Sequence, residues 1–323
     1  MMPHEKLEAD FASWMGYPSK NAVACSSGTA ALHLALEVRA NGNPGYILVP
    51  DFTMVACARA VVLSGLSPRF VECDENLLIT PKTIDSAYTP DVLAVMPVHV
   101  YGRRCNMQGI HALANLKGID VVEDLAEAHG IRPHPDTFAA CWSFYQNKIV
   151  AGEEGGMVIF KDDYYANKAR LLRCLGFTPQ HDFTHVPRGH NYRMASSLAR
   201  LVLKSLQKVD KNLAKRKQVE FWYDNEIPEE NRMPARDVCW VYDIKVPTHA
   251  QNALVSGLNE RGIQARYGFK PMSSLREFVQ QSSSAHPVAE TMGNQIIYLP
   301  VDPRLLRGRV GAICREVRRL LQS

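Results

Sequence analysis

Between residues 21 and 160, short apolar segments alternate with amphipathic ones, and this alternation constrains the fold more strongly than any other feature of the sequence. The clearest apolar segments occupy residues 21–25, 46–50, 67–73, 92–100 and 119–122. Strands that are apolar along their whole length are buried on both faces, which is typical of parallel sheets covered by helices. The sequence therefore predicts an α/β fold with a mostly parallel central sheet.

In the second half of the chain, longer helical segments replace this alternation. Helices are predicted at 163–174 and 195–222, and a smaller α+β unit follows, with a predicted strand at 238–246. A chain of 323 residues is long enough for one large or two moderate domains. We expect a large domain over residues 1–215 and a small C-terminal domain over residues 216–323.

Composition argues against several classes of protein. The hydrophobic fraction of 46% and the charged fraction of 22% are ordinary for a soluble globular protein. No apolar run is long enough to span a bilayer, and the first residues do not form a signal peptide, so we expect a cytoplasmic protein without a membrane partner. The eight cysteines include no Cys-x-x-Cys pair, so neither a metal site nor a disulfide framework is expected.

The net charge of +4 is too small to indicate a nucleic-acid partner. Basic residues collect at 204–217 and 304–319 with a helical period, which is typical of a solvated helix face. A modest positive field also suits a small anionic substrate.

Lys148 is the first candidate for chemistry, because it lies between two apolar segments and just before a glycine-rich turn. Burial lowers the pKa of a lysine and makes its amine a nucleophile. Such lysines form Schiff bases with carbonyl compounds, including pyridoxal phosphate (PLP). Taken alone, a surface-loop lysine is the simpler interpretation, so the decision depends on the groups elsewhere in the sequence.

Those groups are a turn at residues 26–29, an acid at a strand end and a hydroxyl. The turn joins a strand to a helix through Ser-Ser-Gly-Thr, which is typical of an anion site at a helix N-terminus, although an ordinary helix cap fits it equally well. Asp124 ends a predicted strand, and Ser143 precedes Lys148 by five residues. PLP needs donors for its phosphate, a carboxylate for its ring nitrogen and a lysine for its aldehyde. The glycine signatures of dinucleotide and P-loop sites are missing.

Seven motifs, in order along nearly the whole chain, resemble those of one known family. They are Ser-Ser-Gly-Thr-Ala-Ala-Leu-His-Leu-Ala-Leu, Pro-Val-His-Val-Tyr-Gly, Glu-Asp-Leu-Ala-Glu-Ala-His-Gly, Ser-Phe-Tyr-Gln-Asn-Lys, Gly-Glu-Glu-Gly-Gly-Met-Val, Asn-Tyr-Arg-Met and Phe-Lys-Pro-Met-Ser-Ser-Leu. The sequence resembles the DegT/DnrJ/EryC1/StrS aminotransferases, PLP enzymes of fold type I that act mostly on keto sugars. Glu127 and the last motif are most similar to the branch that includes GDP-perosamine synthase.

The resemblance implies a role for each matching residue. Lys148 would bind PLP as a Schiff base, Asp124 would pair with its ring nitrogen, and Glu127 would lie beside the ring. The phosphate would be held by Gly28, Thr29 and Ser143 of one subunit and by Asn191 of its partner, which implies a homodimer with shared active sites. Met54 stands where relatives usually carry an aromatic residue on the cofactor ring. The substrate contacts would be His99, Tyr101 and Arg193, although a buried, hydrogen-bonded His or Tyr and an exposed Arg fit the sequence equally well.

The implied reaction moves the amino group of L-glutamate to a keto sugar, with a nucleotide-linked 4-keto-6-deoxyhexose as the first choice of acceptor. Compared with the family, the chain is short before its first helix and between residues 130 and 141, where relatives help to enclose the acceptor. Two alternatives therefore stay open: a different acceptor, such as a keto-inositol or another keto sugar, and a non-catalytic partner protein with a PLP-enzyme fold.

Overall fold

The computed structural model describes residues 1–178, 183–186, 188–279 and 285–322. The helices are α1 Pro3–Met15, α2 Gly28–Ala40, α3 Ala56–Leu63, α4 Pro81–Ala87, α5 Met107–Lys117, α6 Asp163–Arg173, α7 Ser196–Leu206, α8 Val209–Asp224, α9 Thr248–Glu260, α10 Pro287–Gly293 and α11 Arg307–Leu321. The strands are β1 Ala22–Cys25, β2 Tyr46–Pro50, β3 Ser67–Val71, β4 Val92–Val95, β5 Asp120–Asp124, β6 Ala139–Ser143, β7 Gly156–Phe160, β8 Tyr242–Lys245, β9 Arg266–Tyr267 and β10 Ile296–Leu299. No helix in these ranges is both long and apolar enough to cross a bilayer.

The first seven strands form one sheet in the order β1-β7-β6-β5-β4-β2-β3. The pairs from β6 to β3 are all parallel, whereas β7 pairs antiparallel with both β1 and β6. The predicted α/β class with a mostly parallel central sheet is confirmed. Every residue of β1 and β7 is buried, as the continuous apolar runs predict.

Helices on the faces of this sheet complete the main core. Phe11 of α1 lies edge-on to Trp142 and Phe144, with ring centroids 5.2 Å apart in both cases. Helix α2 packs along β6 and β7, so its N-terminus lies at the edge of the sheet where β5 and β6 end. The carboxyl ends of parallel strands are where sheets of this kind bind ligands.

Three predicted elements differ from the structure. The strand predicted at 92–100 ends at Val95, shortly before Pro97, although His99 N–H still donates to the Asp124 carbonyl at 3.1 Å. The helix predicted at 195–222 is two helices: α7 packs on α1, and α8 packs on α11. The strand predicted at 238–246 is shortened to Tyr242–Lys245.

A second, antiparallel sheet has the order β8-β10-β9 and its own apolar core, which α8, α9 and α11 cover.

A buried ion cluster connects this second sheet to the main sheet. Both Asp243 oxygens accept hydrogen bonds from Arg103 at 2.9 and 3.0 Å, and Oδ1 also accepts from Arg236 at 2.6 Å. Both guanidinium groups hold the pKa of the Asp243 carboxyl below its usual range despite its burial.

Candidate active site

The turn between β1 and α2 offers unpaired backbone donors to a ligand. Ser27 caps the helix, because its hydroxyl accepts a hydrogen bond from Ala30 N–H at 3.1 Å. Gly28 and Thr29 are the first two residues of the helix, and their N–H groups have no hydrogen-bond partner among the described residues. Free amides and the positive end of the helix dipole together make an anion site.

Two glycines let neighbouring segments approach this turn closely. A Cβ on Gly28 would lie 2.7 Å from the Cβ of Ser143, and a Cβ on Gly156 would lie 2.1 Å from the Ser27 carbonyl oxygen. Real Cβ contacts are not this short, so glycine is required at both positions. The Ser143 hydroxyl at the end of β6 is therefore held against the free amides, where all three donors can face one phosphate.

Asp124 is a buried carboxylate at the end of β5, and its position is fixed by two donors. Its Oδ1 accepts from Ala126 N–H at 2.8 Å, and its Oδ2 faces the thiol of Cys57 at 3.1 Å. Cys57 lies in α3 and is fully buried. A fixed carboxylate of this kind can pair with a protonated ring nitrogen.

Lys148 lies in the loop after β6, where its N–H donates to the Tyr145 carbonyl at 2.8 Å. Its Nζ lies 3.9 Å from the centroid of the Trp240 ring, and the Trp240 indole N–H donates to the Asn147 carbonyl at 2.9 Å. Burial lowers the pKa of Lys148, while the carboxylates of Glu127 and Asp124 oppose this effect. The structure therefore brings Lys148, Asp124 and Glu127 within electrostatic range of one another.

Glu127 is buried three residues after Asp124, and its Oε2 accepts a hydrogen bond from Tyr101 N–H at 2.9 Å. Burial raises the pKa of Glu127 to about 7, against the opposing charge of Lys148. A carboxyl with this pKa changes its charge in the neutral pH range, so it can take up or release a proton beside the lysine.

Met54 lies at the mouth of an open cavity of about 520 Å³ that is also lined by Phe269 and Met272. Its side chain is 51% exposed, so it is free to cover a ring placed near the cavity mouth. Its contact with the cofactor stays a prediction.

His99 is not exposed to a ligand, contrary to its interpretation as a substrate contact. Its ring is fully buried, with Nε2 bonded to Glu123 Oε2 at 3.0 Å and Nδ1 accepting from Cys105 N–H at 3.1 Å. Because both ring nitrogens are paired within the protein, the structure favours a structural role, and we leave His99 out of the site.

Tyr101 is buried in an aromatic cluster with Phe269, Trp240 and Tyr298. Its backbone has a φ of +53°, in the left-handed region that non-glycine residues rarely adopt, and its N–H is the donor to Glu127. Backbone strain of this kind tends to occur at functional sites. The position supports a role in orienting Glu127, whereas its predicted contact with substrate stays a prediction.

Asn191 and Arg193 lie on the surface, in the segment that precedes α7. Tyr192, between them, accepts a hydrogen bond from Ser26 N–H at 2.8 Å, so this segment runs beside the anion turn. A surface-exposed Asn191 agrees with its predicted contact to a partner subunit, and both residues stay predictions.

Sequence reasoning missed two residues of the site. Trp240 covers Lys148 from the C-terminal third of the chain, and Cys57 contacts Asp124 from a helix that follows β2. The only local signal for Cys57 is its place on the helix after a strand end. Trp240 gives no sequence signal, because it is separated from Lys148 by about ninety residues.

These groups fit three polar groups of PLP: unpaired amides and a hydroxyl for the phosphate, a fixed carboxylate for the ring nitrogen and a lysine for the aldehyde. The fold and the site define a PLP-dependent enzyme of fold type I. Family comparison agrees, because residues 3–318 match the model of the DegT/DnrJ/EryC1/StrS aminotransferase family. The chain belongs to this family, and it is a PLP-dependent aminotransferase.

Relatives cover nearly the whole chain. GDP-perosamine synthase of Caulobacter vibrioides is 31% identical over 98% of this chain and 89% of its own length. UDP-N-acetyl-3-dehydro-alpha-D-glucosamine 3-aminotransferase of Acidithiobacillus ferrooxidans is also 31% identical, over 98% of this chain and 88% of its own. The solved structure of DesV from S. venezuelae superimposes with a TM-score of 0.89 at 26% identity, covering 100% of this chain and 90% of that one. Two other solved structures of the same fold contain pyridoxamine phosphate (PMP), the aminated form of the cofactor.

Proposed function

We propose that the protein transfers the amino group of L-glutamate to a nucleotide-linked keto sugar, with a GDP-linked 4-keto-6-deoxyhexose as the first choice. The observation that supports the proposal most strongly is the position of Lys148. Its amine lies over the Trp240 ring and within electrostatic range of Asp124 and Glu127. The identity to GDP-perosamine synthase over nearly the whole chain supports this choice of acceptor. The identity to a UDP-linked 3-aminotransferase makes a 3-keto sugar the second candidate.

The predicted roles follow from what each side chain contacts. PLP, when bound, supplies an electron sink that makes a C–H bond beside an amino group acidic. Lys148 Nζ moves this proton as general base and acid, because its lowered pKa lets an amine accept a proton closer to neutral pH. Glu127 exchanges a proton with Lys148, and Asp124 keeps a positive charge on the ring nitrogen. Trp240 covers the amine and keeps water away from it.

A screen of acceptors tests this proposal. The purified protein is incubated with L-glutamate and, separately, with a GDP-linked 4-keto-6-deoxyhexose, a UDP-linked 3-keto sugar and a keto-inositol. The formation of 2-oxoglutarate and of the amino sugar is then followed by mass spectrometry. We expect amination of the first acceptor, loss of turnover in Lys148→Ala and normal turnover in Lys161→Ala, which removes an exposed lysine. Normal turnover in Lys148→Ala, or no 2-oxoglutarate with any acceptor, would refute the proposal.

We also infer that two copies of the chain share their active sites through Asn191. The exposure of Asn191, beside the segment that contacts the anion turn, supports this inference. Mixing the Lys148→Ala and Asn191→Ala variants tests it, because a mixed dimer would contain one site with both residues intact. We expect activity to return on mixing. If the mixture stays as inactive as its components, Asn191 does not act across an interface.

The division into domains at residues 215 and 216 is likewise our proposal. Its support is the second apolar core, which begins at Val219. The boundary falls inside α8, which runs continuously from Val209 to Asp224, so the two parts would share this helix. Limited proteolysis followed by mass spectrometry would locate the boundary.

A further inference from the structure

Outside the group around Lys148, three side chains that commonly bind metals converge between α2 and the segment 188–193. His33 and Glu37 are one helical turn apart on α2, and His190 lies in the segment. The Nε2 atom of His190 is 2.7 Å from Glu37 Oε2, and that of His33 is 3.7 Å from the same oxygen. One ligand atom from each of the three residues lies within 4.8 Å of the other two.

One ring nitrogen of His33 lacks a hydrogen-bond partner in this group. The His33 side chain is 2% exposed, and its Nδ1 lies 3.0 Å from the Tyr192 hydroxyl. Its buried Nε2 makes no hydrogen bond of normal geometry among the described residues, and the ring's other polar neighbour is the Leu63 backbone. If Nδ1 donates to Tyr192, the lone pair of Nε2 faces the Glu37 carboxylate with nothing between them. If Nε2 carries the proton instead, 3.7 Å is too long for a hydrogen bond. A cation between these atoms would give Nε2 a partner, and it would replace the hydrogen bond between His190 and Glu37.

We propose that His33, Glu37 and His190 form a binding site for a divalent cation of the zinc class. Two imidazoles and one carboxylate are a common ligand set for Zn²⁺, with the fourth position left to water. Metal–nitrogen bonds of about 2.0–2.1 Å place tetrahedral ligand atoms about 3.3 Å apart, between the two distances observed here. A cavity of about 410 Å³ lined by Glu37 and His190 leaves room for the water.

The hydrogen bond between His33 and Tyr192 supports the same assignment, because donation from Nδ1 to the Tyr192 hydroxyl leaves Nε2 free to bind a metal. Metal-bound histidines commonly pair their second ring nitrogen with a fixed polar group, which sets the tautomer and the ring orientation. Tyr192 does this here, and its ring also stacks on His190 at a centroid distance of 4.8 Å. Since the Tyr192 carbonyl accepts from Ser26 N–H, the bound ion would tie the segment carrying Asn191 to the helix that begins at the anion turn.

The sequence does not reveal this site, because its histidines are far apart in the chain and no metal motif joins them. His190 and Glu37 are separated by 153 positions. A second group, formed by His111, His134 and Asp136, also brings together residue types that bind metals. The His134 Nδ1 already accepts from Asp136 N–H at 3.3 Å, so this group serves as an internal comparison.

The test is zinc binding by the PLP-loaded enzyme after its metal has been removed with a chelator. Isothermal titration with Zn²⁺ should give one ion per chain, and titration with Co²⁺ should give visible ligand-field bands. We expect Glu37→Gln and His190→Ala each to weaken zinc binding by more than about 10-fold, and Tyr192→Phe by about 10–100-fold. His249→Ala, at an exposed histidine on α9, and His134→Ala should bind zinc as the unmodified protein does.

Three results would overturn the proposal. The first is no zinc binding by the stripped protein at micromolar concentrations. The second is unchanged binding in both Glu37→Gln and His190→Ala, with circular dichroism confirming that the variants are folded. The third is binding that is lost in His134→Ala or that follows PLP content instead of the histidines. Because the measurement is of bound metal, its outcome is independent of which acceptor the enzyme aminates.

Discussion

Replacing Glu127 by glutamine should change the stability of the protein in a way that depends on pH. Burial raises the pKa of Glu127 from an ordinary value of 4.5 to about 7. Below pH 4.5 the carboxyl is protonated in both the folded and the unfolded chain, so glutamine offers no advantage. Between pH 4.5 and 7 only the unfolded chain loses the proton, and stability falls as pH rises. Above pH 7 the full cost applies, about 3 kcal/mol at about 1.4 kcal/mol per pH unit.

The assay is urea unfolding of the cofactor-free protein between pH 4.5 and 8, since Lys148 carries a free amine in that form. Glutamine keeps an oxygen that accepts from Tyr101 N–H, so the variant removes the charge with little change in shape. The gain in unfolding free energy of Glu127→Gln over the unmodified protein should rise from near zero to about 3 kcal/mol. Glu229→Gln removes an exposed carboxylate and controls for net charge. A gain that stays constant with pH, or that falls as pH rises, would refute the reasoning.

Three further substitutions test the site and its support. Gly28→Ala would bring a Cβ to 2.7 Å from Ser143 and should weaken PLP binding by about 10-fold or more, measured by fluorescence titration, whereas Gly308→Ala, with open space around it, should not. Asp243→Ala leaves buried Arg103 without a carboxylate partner, whereas Arg236 keeps Glu220, and should lower the free energy of unfolding in urea by about 3–5 kcal/mol. Cys57→Ala removes a donor to Asp124, the carboxylate that we propose pairs with the ring nitrogen, and should weaken PLP binding by about 0.5–1.5 kcal/mol, whereas Cys57→Ser should retain it. Unchanged PLP binding or stability in any of these variants would contradict the role given to the substituted residue.

The apolar runs were sufficient to predict the central sheet, but not the direction of every strand. Residues 46–50 form β2 as predicted, because an apolar segment of this length is buried wherever it lies. Hydrophobicity indicates which residues are buried, but it does not indicate the direction in which a strand runs. The antiparallel pairing of β7 with its two neighbours therefore could not be predicted from the apolar runs.

The candidate site was predictable where function depends on local sequence. The anion turn at 26–29 follows β1 directly and Lys148 lies in the loop after β6, so motif order locates both, while their roles stay predictions. His99 shows the limit of this reasoning. Glu123 and Asp124 are consecutive in β5 and point to opposite faces of the sheet. Glu123 pairs with His99 on the face of the sheet opposite to Asp124. The sequence alone does not show which of these two acids pairs with His99.

The contact between Trp240 and Lys148 links a surface cavity to acid–base chemistry. An aromatic face stabilises an adjacent ammonium by about 0.5–2 kcal/mol, which corresponds to a change in the affinity of the amine for its proton on the order of 1 pH unit. Trp240 also lines a cavity with Arg266 and Tyr298. A substitution in that cavity that moves the indole would therefore alter the working pH of the enzyme without touching Lys148 itself.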